Sequence, residues 1–171
     1  MDTAMLQDLA DRQAIAELIY RYCRSVDRLD IPLGHSIWHE DGVADYGAGF
    51  YQGPGKGVID LICAQHLQTL GHSHNVTNIL LQLAGDKAGS ESYCTATLRV
   101  RRGETLLQMT VWSRYVDAWS RRNGRWGLDK RLAIRDFDEI REARAMAEHD
   151  VGRRDRSDPS YAALPAMEDS K

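Results

Sequence analysis

The chain has 171 residues, 22 of them Lys or Arg and 25 Asp or Glu, which gives a formal net charge of -3 and a hydrophobic fraction of 43%. This length suits one domain whose core needs neither disulfides nor a structural metal. The balanced charge argues against a nucleic-acid-binding protein, which usually has a clustered basic face, and no apolar run approaches the ~20 residues that span a bilayer.

The N-terminal segment predicts an amphipathic helix. It lacks the basic and then apolar pattern of a secretion signal, so we expect a cytoplasmic protein. Apolar residues recur at helical steps over 3–28, and we expect the helix to end near residues 27–30 because Pro32 follows. A short helix over Pro32–His39 is expected next, since a proline is well tolerated in the first turn of a helix.

The pattern changes after this second helix. Residues 41–52 mix aromatic and β-branched residues with glycines, which predicts two short strands and a turn. A Gly-Pro-Gly sequence at 53–55 breaks the chain. Residues 56–69 have helical periodicity again, and Gly71 is expected to end that helix.

The second half of the chain predicts an antiparallel meander. Its four strands cover residues 77–84, 91–101, 106–119 and 125–137, with glycine-containing turns between them. A last, charged helix is predicted over 138–149. We therefore predict one α+β domain over residues 1–150, in which N-terminal helices pack on a curved antiparallel sheet to form a cone, followed by a polar tail over 151–171. Such a cone offers a ligand cavity.

Cysteine and histidine usage limits the chemistry further. The three cysteines, Cys23, Cys63 and Cys94, are widely spaced and form no CxxC pair, so we expect buried free thiols. Five of the six histidines lie between positions 35 and 74. These are His35, His39, His66, His72 and His74.

Five segments then suggest a family. They are Asp11–Ile15, Tyr22–Asp27, Trp38–Gly42, His74–Asn78 and Arg125–Arg131. In this order they resemble the SnoaL-like branch of the nuclear transport factor 2-like superfamily, over about residues 8–140 of the chain. The resemblance implies an α+β cone with a deep apolar pocket. It also implies the acid–base chemistry of the dehydratases and dehydrochlorinases of that branch, which use no cofactor and no metal.

The resemblance also assigns site residues. The catalytic aspartate of those enzymes falls on Asp27 and their catalytic histidine on His74. The active-site arginine falls on Arg131 in the dehydrochlorinase pattern and on Arg135 in one dehydratase pattern. Tyr22 stands where that dehydratase has a tyrosine and the dehydrochlorinase a lysine, so the chain is nearer the dehydratases. The second catalytic histidine of some members has no counterpart among the later strands, and His72 is the alternative for that role.

The residue types themselves suit acid–base catalysis. A neutral imidazole is an effective base near pH 7, and a carboxylate bound to its other nitrogen fixes the tautomer and stabilises the imidazolium. Asp27 and His74 would supply this pair. A metal site built from His72, His74 and Asp27 is a weaker alternative, since nothing else in the sequence supports it, and we expect no metal and no cofactor.

The remaining candidate residues would bind the substrate or assist its reaction. Arg131 and Arg135 are four residues apart on one strand and so share a face, where one could stabilise a developing negative charge. The alternative for either arginine is a surface ion pair with Asp129 or Asp136. Tyr22 is a candidate general acid. The substrate-binding candidates are Tyr46, Arg131, His72, Val111 and Tyr115.

Three hypotheses for function follow. The first is a cofactor-independent lyase that removes water from a small hydroxylated aromatic or apolar substrate. One variant of this hypothesis adds C–C cleavage and formaldehyde release, as in related lyases of lignin-derived diarylpropanediols. The second is a ketosteroid-isomerase-like isomerase or an epoxide hydrolase on the same fold. The third is a small-ligand-binding domain without activity. Under all three we expect a homo-oligomer, dimer or trimer, since the outer sheet face around Trp112 and Val116 needs covering.

Overall fold

One mixed sheet, packed on one side by helices, forms the framework of the protein. The computed structural model describes residues 2–145 and 152–164. The elements in chain order are α1 (Thr3–Arg28), α2 (Ile31–Ser36), β1 (Trp38–Asp45), β2 (Gln52–Pro54), α3 (Gly55–His66), β3 (Gly71–Ala84), β4 (Lys87–Arg102), β5 (Thr105–Arg122), β6 (Arg125–Glu142) and α4 (Pro159–Ala163). Within these residues no helix combines the length and apolar character that crossing a bilayer requires.

The six strands have the order β2-β1-β6-β5-β4-β3 in a curved sheet that does not close. The predicted α+β cone, with N-terminal helices on a curved sheet, is confirmed. The sheet is not fully antiparallel, because β1 pairs parallel to β6, with Ala44 opposite Arg131. Sequence patterning could not reveal this contact, since β1 and β6 are about 80 residues apart in the chain.

Helix α1 forms where it was predicted. Asp2 caps its first turn by accepting a hydrogen bond from the Ala4 N–H at 3.3 Å. The helix ends at Arg28, and the left-handed conformation of Leu29 (φ 54°) lets the N–H of Asp30 reach the Ser25 carbonyl at 2.8 Å. The side chains that α1 buries recur at helical spacing and pack toward the sheet. They include Ile15, Ile19, Tyr22, Cys23 and Val26.

Two predicted boundaries are wrong. Strand β3 begins at Gly71 rather than near residue 77, so His72 and His74 lie on a strand and not in a loop. The charged helix predicted over 138–149 is replaced by strand over residues 138–142, because this segment continues β6 and pairs with β5 up to Leu107 opposite Glu142. Residues 146–149 of that prediction lie outside the described residues.

Helix α3 packs tightly against the core through Gly55. A Cβ added at Gly55 would overlap the ring of Trp38, a core side chain that is only 2% exposed. We expect Gly55→Ala to lower the free energy of unfolding by about 1–3 kcal/mol, because the indole cannot move out of a filled core. Urea denaturation checks this value.

Gly49 is the matched control, since a Cβ at that position would have no neighbour within 4 Å. Gly49→Ala is expected to change the stability by less than ~0.5 kcal/mol. Equal stability of the Gly55→Ala and Gly49→Ala variants would contradict the close packing of α3 on Trp38.

Candidate active site

Asp27 and His74 form a hydrogen-bonded pair. Asp27 lies in the last turn of α1, and His74 lies on β3. The Asp27 Oδ1 atom is 2.7 Å from His74 Nδ1, and Oδ2 accepts the backbone N–H of His74 at 3.0 Å. Both carboxylate oxygens therefore bind one residue, which fixes the carboxylate and orients the ring together.

This geometry defines the protonation pattern of the pair. Because the carboxylate accepts, Nδ1 carries the hydrogen and Nε2 has the free lone pair of a neutral imidazole. The side chains of His74 and Asp27 are 7% and 16% exposed, so water screens their interaction only partly. The arrangement can take up a proton at Nε2 and stabilise the resulting imidazolium.

Two further histidines pack beside the pair. The ring centroid of His66, at the end of α3, is 4.1 Å from that of His72 and 5.3 Å from that of His74. Burial lowers the pKa of His66 to about 3, and both neighbouring imidazoles add to the effect. Burial also lowers the pKa of His72, whose Nε2 lies 2.9 Å from the Val26 carbonyl oxygen.

The buried His66 predicts a dependence of stability on pH. An unfolded histidine titrates near pH ~6.5, whereas folded His66 titrates near 3, so the unfolded chain binds more protons between these values. The free energy of unfolding should therefore fall as the pH falls below ~6.5, by up to about 1.4 kcal/mol per pH unit from this one group. In His66→Phe, urea denaturation between pH 7 and ~4 should show a shallower decline.

His35 provides a control for this prediction. It is a more exposed histidine whose Nε2 lies 2.8 Å from Asp60 Oδ1. His35→Gln should retain the steep decline that His66→Phe loses. A decline that is unchanged in His66→Phe would contradict the proposed burial of a neutral His66.

Arg131 lies at the centre of a second cluster. Its guanidinium is fully buried and donates two hydrogen bonds to Asp117, at 2.8 and 2.7 Å. Its Cζ atom stands 4.2 Å from the ring centroid of Tyr22 and 4.0 Å from that of Tyr115. The guanidinium thus packs against two aromatic rings that are themselves edge-to-face, a favourable site for a desolvated cation.

The tyrosines of this cluster are linked to one another. The hydroxyl oxygens of Tyr22 and Tyr46 are 2.8 Å apart. Burial raises the pKa of Tyr22 and of Tyr46, while the Arg131 charge acts in the opposite direction on both. These phenols keep their protons at neutral pH and can donate hydrogen bonds to a ligand.

Cys94 connects the two clusters. It contacts Cys23, and that contact, together with the nearby His74 ring and the Arg131 charge, lowers the pKa of its thiol. The Cys94 thiol therefore lies near both the histidine of the pair and the buried guanidinium. The structure therefore brings Asp27, His74, Tyr22 and Arg131 into one interior region, as the sequence hypothesis required, although their catalytic roles stay predictions.

The other predicted site residues occupy different places. Tyr115 is buried in the arginine cluster, and Val111 is half-buried in the cross-strand row that runs from His74 through Ala96. Arg135 shares the strand face of Arg131, but its side chain is 70% exposed and lies 2.9 Å from Asp138. The described contacts do not bring Arg135 to the pair and give its predicted catalytic role no support.

Sequence reasoning missed two buried partners. Asp117 was not singled out, although it stands two residues from Tyr115 and so shares its strand face, a signal that was available. The alternatives Asp129 and Asp136 bind Arg122 and Arg114 instead. His66 carried no comparable signal, since its approach to His74 depends on how α3 packs against β3.

Metal binding finds little support among these side chains. Among residues 2–145 and 152–164, no group of three His, Cys, Asp or Glu side chains is arranged to hold a metal ion. His72 contacts Thr69 through Nδ1 and Val26 through Nε2, and Nδ1 of His74 binds Asp27. The facial triad considered from the sequence is therefore not formed.

A separate surface cavity of about 890 Å³ contains neither Asp27 nor His74. Its walls include Trp38 and Trp126 together with several cationic side chains. Arg122 binds Asp41 at 2.7 Å, and Arg125 donates to the Ser36 carbonyl at 2.8 Å. Both of these cations thus already have partners within the protein.

Comparison with known proteins agrees with the fold. The family model described as SnoaL-like domain matches residues 7–132. No curated protein sequence matches the chain. Among solved structures, LinA is similar with a TM-score of 0.72 at 22% identity, and the match covers 87% of this chain and 99% of that one.

Two further structures have the same architecture. A hexachlorocyclohexane dehydrochlorinase, LinA-type3 from Novosphingobium barchaimii LL02, has a TM-score of 0.68 at 21% identity and covers 85% of this chain and 97% of its own. A candidate scytalone dehydratase from Novosphingobium aromaticivorans DSM 12444 has a TM-score of 0.68 at 17% identity, covering 84% and 97%. At these identities the likeness concerns the fold.

Proposed function

We propose that this chain, which belongs to the SnoaL-like domain family, is a cofactor-independent lyase that uses His74 as its base. The observation that carries the proposal is the clamped pair, with Asp27 Oδ1 2.7 Å from His74 Nδ1 and Oδ2 on the His74 N–H. A carboxylate held in this way leaves Nε2 as the proton acceptor. General base catalysis of this kind contributes about 10²- to 10⁴-fold to the rate.

The proposed reaction is the elimination of water. His74 Nε2 removes a proton from carbon, the C–H electrons form a double bond, and the C–O bond to a neighbouring hydroxyl breaks. The departing hydroxide takes a proton from the Tyr22–Tyr46 pair, whose hydroxyls are 2.8 Å apart, and leaves as water. The proton that His74 has taken up then returns the Tyr22–Tyr46 pair to its neutral form for the next turnover. The Arg131 charge favours this step because it opposes the effect of burial on the pKa of Tyr46.

The surroundings of the pair favour a small, largely apolar substrate. Tyr115, Val111 and the buried face of α1 offer aromatic and aliphatic contacts. Two structural neighbours bear the names of enzymes for a scytalone dehydration and a hexachlorocyclohexane dehydrochlorination, both of which are eliminations. We infer a hydroxylated aromatic or alicyclic compound, with a lignin-derived diarylpropanediol as one candidate. In that case His74 would take the O–H proton of the terminal hydroxyl, the C–C bond would break to release formaldehyde, its electrons would form the double bond, and the other hydroxyl would leave as water.

Product analysis on a panel of such compounds tests the proposal. Incubation of phenolic diols, hydroxylated alicyclic ketones and epoxides with the protein, followed by mass spectrometry, separates the possible reactions. Loss of water, or loss of formaldehyde as well, supports the lyase. A product of unchanged mass with exchanged protons would support an isomerase, and addition of water an epoxide hydrolase. Tight binding without any turnover would support a ligand-binding domain.

We also propose that the protein forms a homo-oligomer through the outer face of the sheet. This face exposes Leu80, Tyr93, Val116 and Leu132, and Trp112 stacks on Phe137 with ring centroids 4.8 Å apart. Exposed apolar side chains in one region are typical of an interface. Light scattering would distinguish a monomer from a dimer or trimer. A cytoplasmic location stays a prediction from the sequence.

A further inference from the structure

Residues 152–164, here called the C-terminal strap, return to the domain beside Asp27. The Tyr161 hydroxyl donates to Asp30 Oδ2 at 3.0 Å. Arg24 donates to the Ser160 hydroxyl oxygen at 3.1 Å and lies over the Tyr161 ring at 4.9 Å. These contacts attach the strap to the end of α1 on both sides of Asp27.

The strap also reaches the connection that leads into β3. Arg154 Nη1 donates to the His66 carbonyl at 2.7 Å and lies 3.2 Å from Thr69 Oγ1. Thr69 Oγ1 is 3.1 Å from His72 Nδ1, and His72 Nε2 is 2.9 Å from the Val26 carbonyl. A continuous chain of hydrogen bonds thus runs from the strap to the residue before Asp27.

The protons of this chain can be assigned. The Val26 carbonyl only accepts, so His72 Nε2 carries a hydrogen, and in the neutral ring Nδ1 needs a donor. Thr69 has one hydroxyl hydrogen, which can go to His72 Nδ1 or to the His66 carbonyl, 2.8 Å away. Because Arg154 and the backbone N–H of Thr69 already donate to the two lone pairs of that carbonyl, the Thr69 hydroxyl hydrogen is free to bind His72.

We propose that Arg154 is a positioning residue, which acts through Thr69 to hold His72 as the neutral Nε2–H tautomer and thereby fixes Val26 and Asp27. The inference rests on the proposed function, because it gives the strap a role in the same acid–base pair. The strap joins the end of α1, which carries Asp27, to the connection that leads into β3, which carries His74, so its loss would let Asp27 and His74 separate. A small misplacement of reacting groups costs up to ~10²-fold in rate.

The charges around His72 support this role. The groups that face its ring are His66 and His74, the Asp27 carboxylate and the Arg154 guanidinium. Burial lowers the pKa of His72, the Val26 carbonyl and Asp27 act to raise it, and His74 and Arg154 act to lower it further. A docked Arg154 and a protonated His72 therefore disfavour each other.

The test compares Arg154→Met with Arg154→Lys and Arg153→Met in the full chain. Arg153 is a matched control, since its side chain donates only to the Ser157 carbonyl of the strap in the described structure. Nitrogen NMR of the histidine rings reads the tautomer and the titration of His72 without any substrate. We expect Arg154→Met to raise the pKa of His72 and to weaken its Nε2–H preference, Arg154→Lys to restore part of both, and Arg153→Met to change neither.

Turnover provides the second readout. On a substrate found by product analysis, Arg154→Met should lower kcat about tenfold with little change in KM, since it disturbs positioning more than binding. An unchanged His72 titration in Arg154→Met would overturn the inference. If Arg154→Met does not fold, Thr69→Val breaks the same chain of hydrogen bonds and provides an independent check. Failure of the lyase proposal itself would appear as normal turnover in His74 variants. The titration of the His72 ring is measured without substrate, so the two failures can be told apart.

Discussion

Replacing His74 with alanine is expected to abolish turnover while leaving the fold intact. The imidazole is the group that accepts the proton from carbon, and the described residues offer no second base clamped by a carboxylate in this way. The expected loss in kcat is about 10²- to 10⁴-fold, the range that general base catalysis contributes. Steady-state kinetics, with circular dichroism to verify folding, measures it.

Asp27→Asn should cause a comparable loss for a different reason. An amide cannot stabilise the imidazolium, and its NH₂ group can turn the ring toward the wrong tautomer. The surface variant His35→Ala is the control and should retain full activity, since His35 pairs with Asp60 away from the site. Full activity in either His74→Ala or Asp27→Asn would remove the basis for the proposed pair.

Arg131→Met is expected to cause a large loss of stability. It would leave the Asp117 carboxylate fully buried without its two charge-assisted hydrogen bonds. Breaking a buried ion pair by removing one partner typically lowers the free energy of unfolding by about 3–5 kcal/mol. Urea denaturation at neutral pH measures this loss, and Asp117→Asn should behave similarly because it leaves the guanidinium unpaired.

Arg135→Met on the same strand is the matched control. Arg135 also forms an ion pair, with Asp138, but its side chain is 70% exposed. An exposed pair contributes at most about 1 kcal/mol, so this variant should be nearly as stable as the parent protein. Similar losses of stability in Arg131→Met and Arg135→Met would show that burial of the Arg131–Asp117 ion pair does not determine the size of the loss.

The helical part of the fold was the most predictable from sequence. The spacing of apolar residues in α1 and the position of Pro32 predict a helix over 3–28, which agrees with Thr3–Arg28. The start of β3 was predicted too late, because Gly71–Asn75 has few β-branched or aromatic residues and is held as a strand by pairing with β4. Residues 138–142 have helix-forming character, yet pairing with β5 outweighs that local preference.

The site was predictable only in part. Resemblance to a family suggested Asp27 and His74, whose contact joins residues 47 positions apart and has no local sequence signal. The partners that depend on tertiary packing, His66 and Arg154, were not predicted as site residues. Arg135 has the alternation of a site residue, but alternation cannot tell whether a strand face is covered at that point.

The fate of one substrate hydrogen tests the central claim most directly. A substrate that loses only water in the product analysis is labelled with deuterium at the carbon adjacent to the one that bears the leaving hydroxyl, and the product is analysed by mass spectrometry. If His74 removes that hydrogen, the product has lost the deuterium to solvent, and His74→Ala gives no such loss. A product that retains all of its deuterium, or an equal loss in His74→Ala, would contradict proton abstraction by the Asp27–His74 pair.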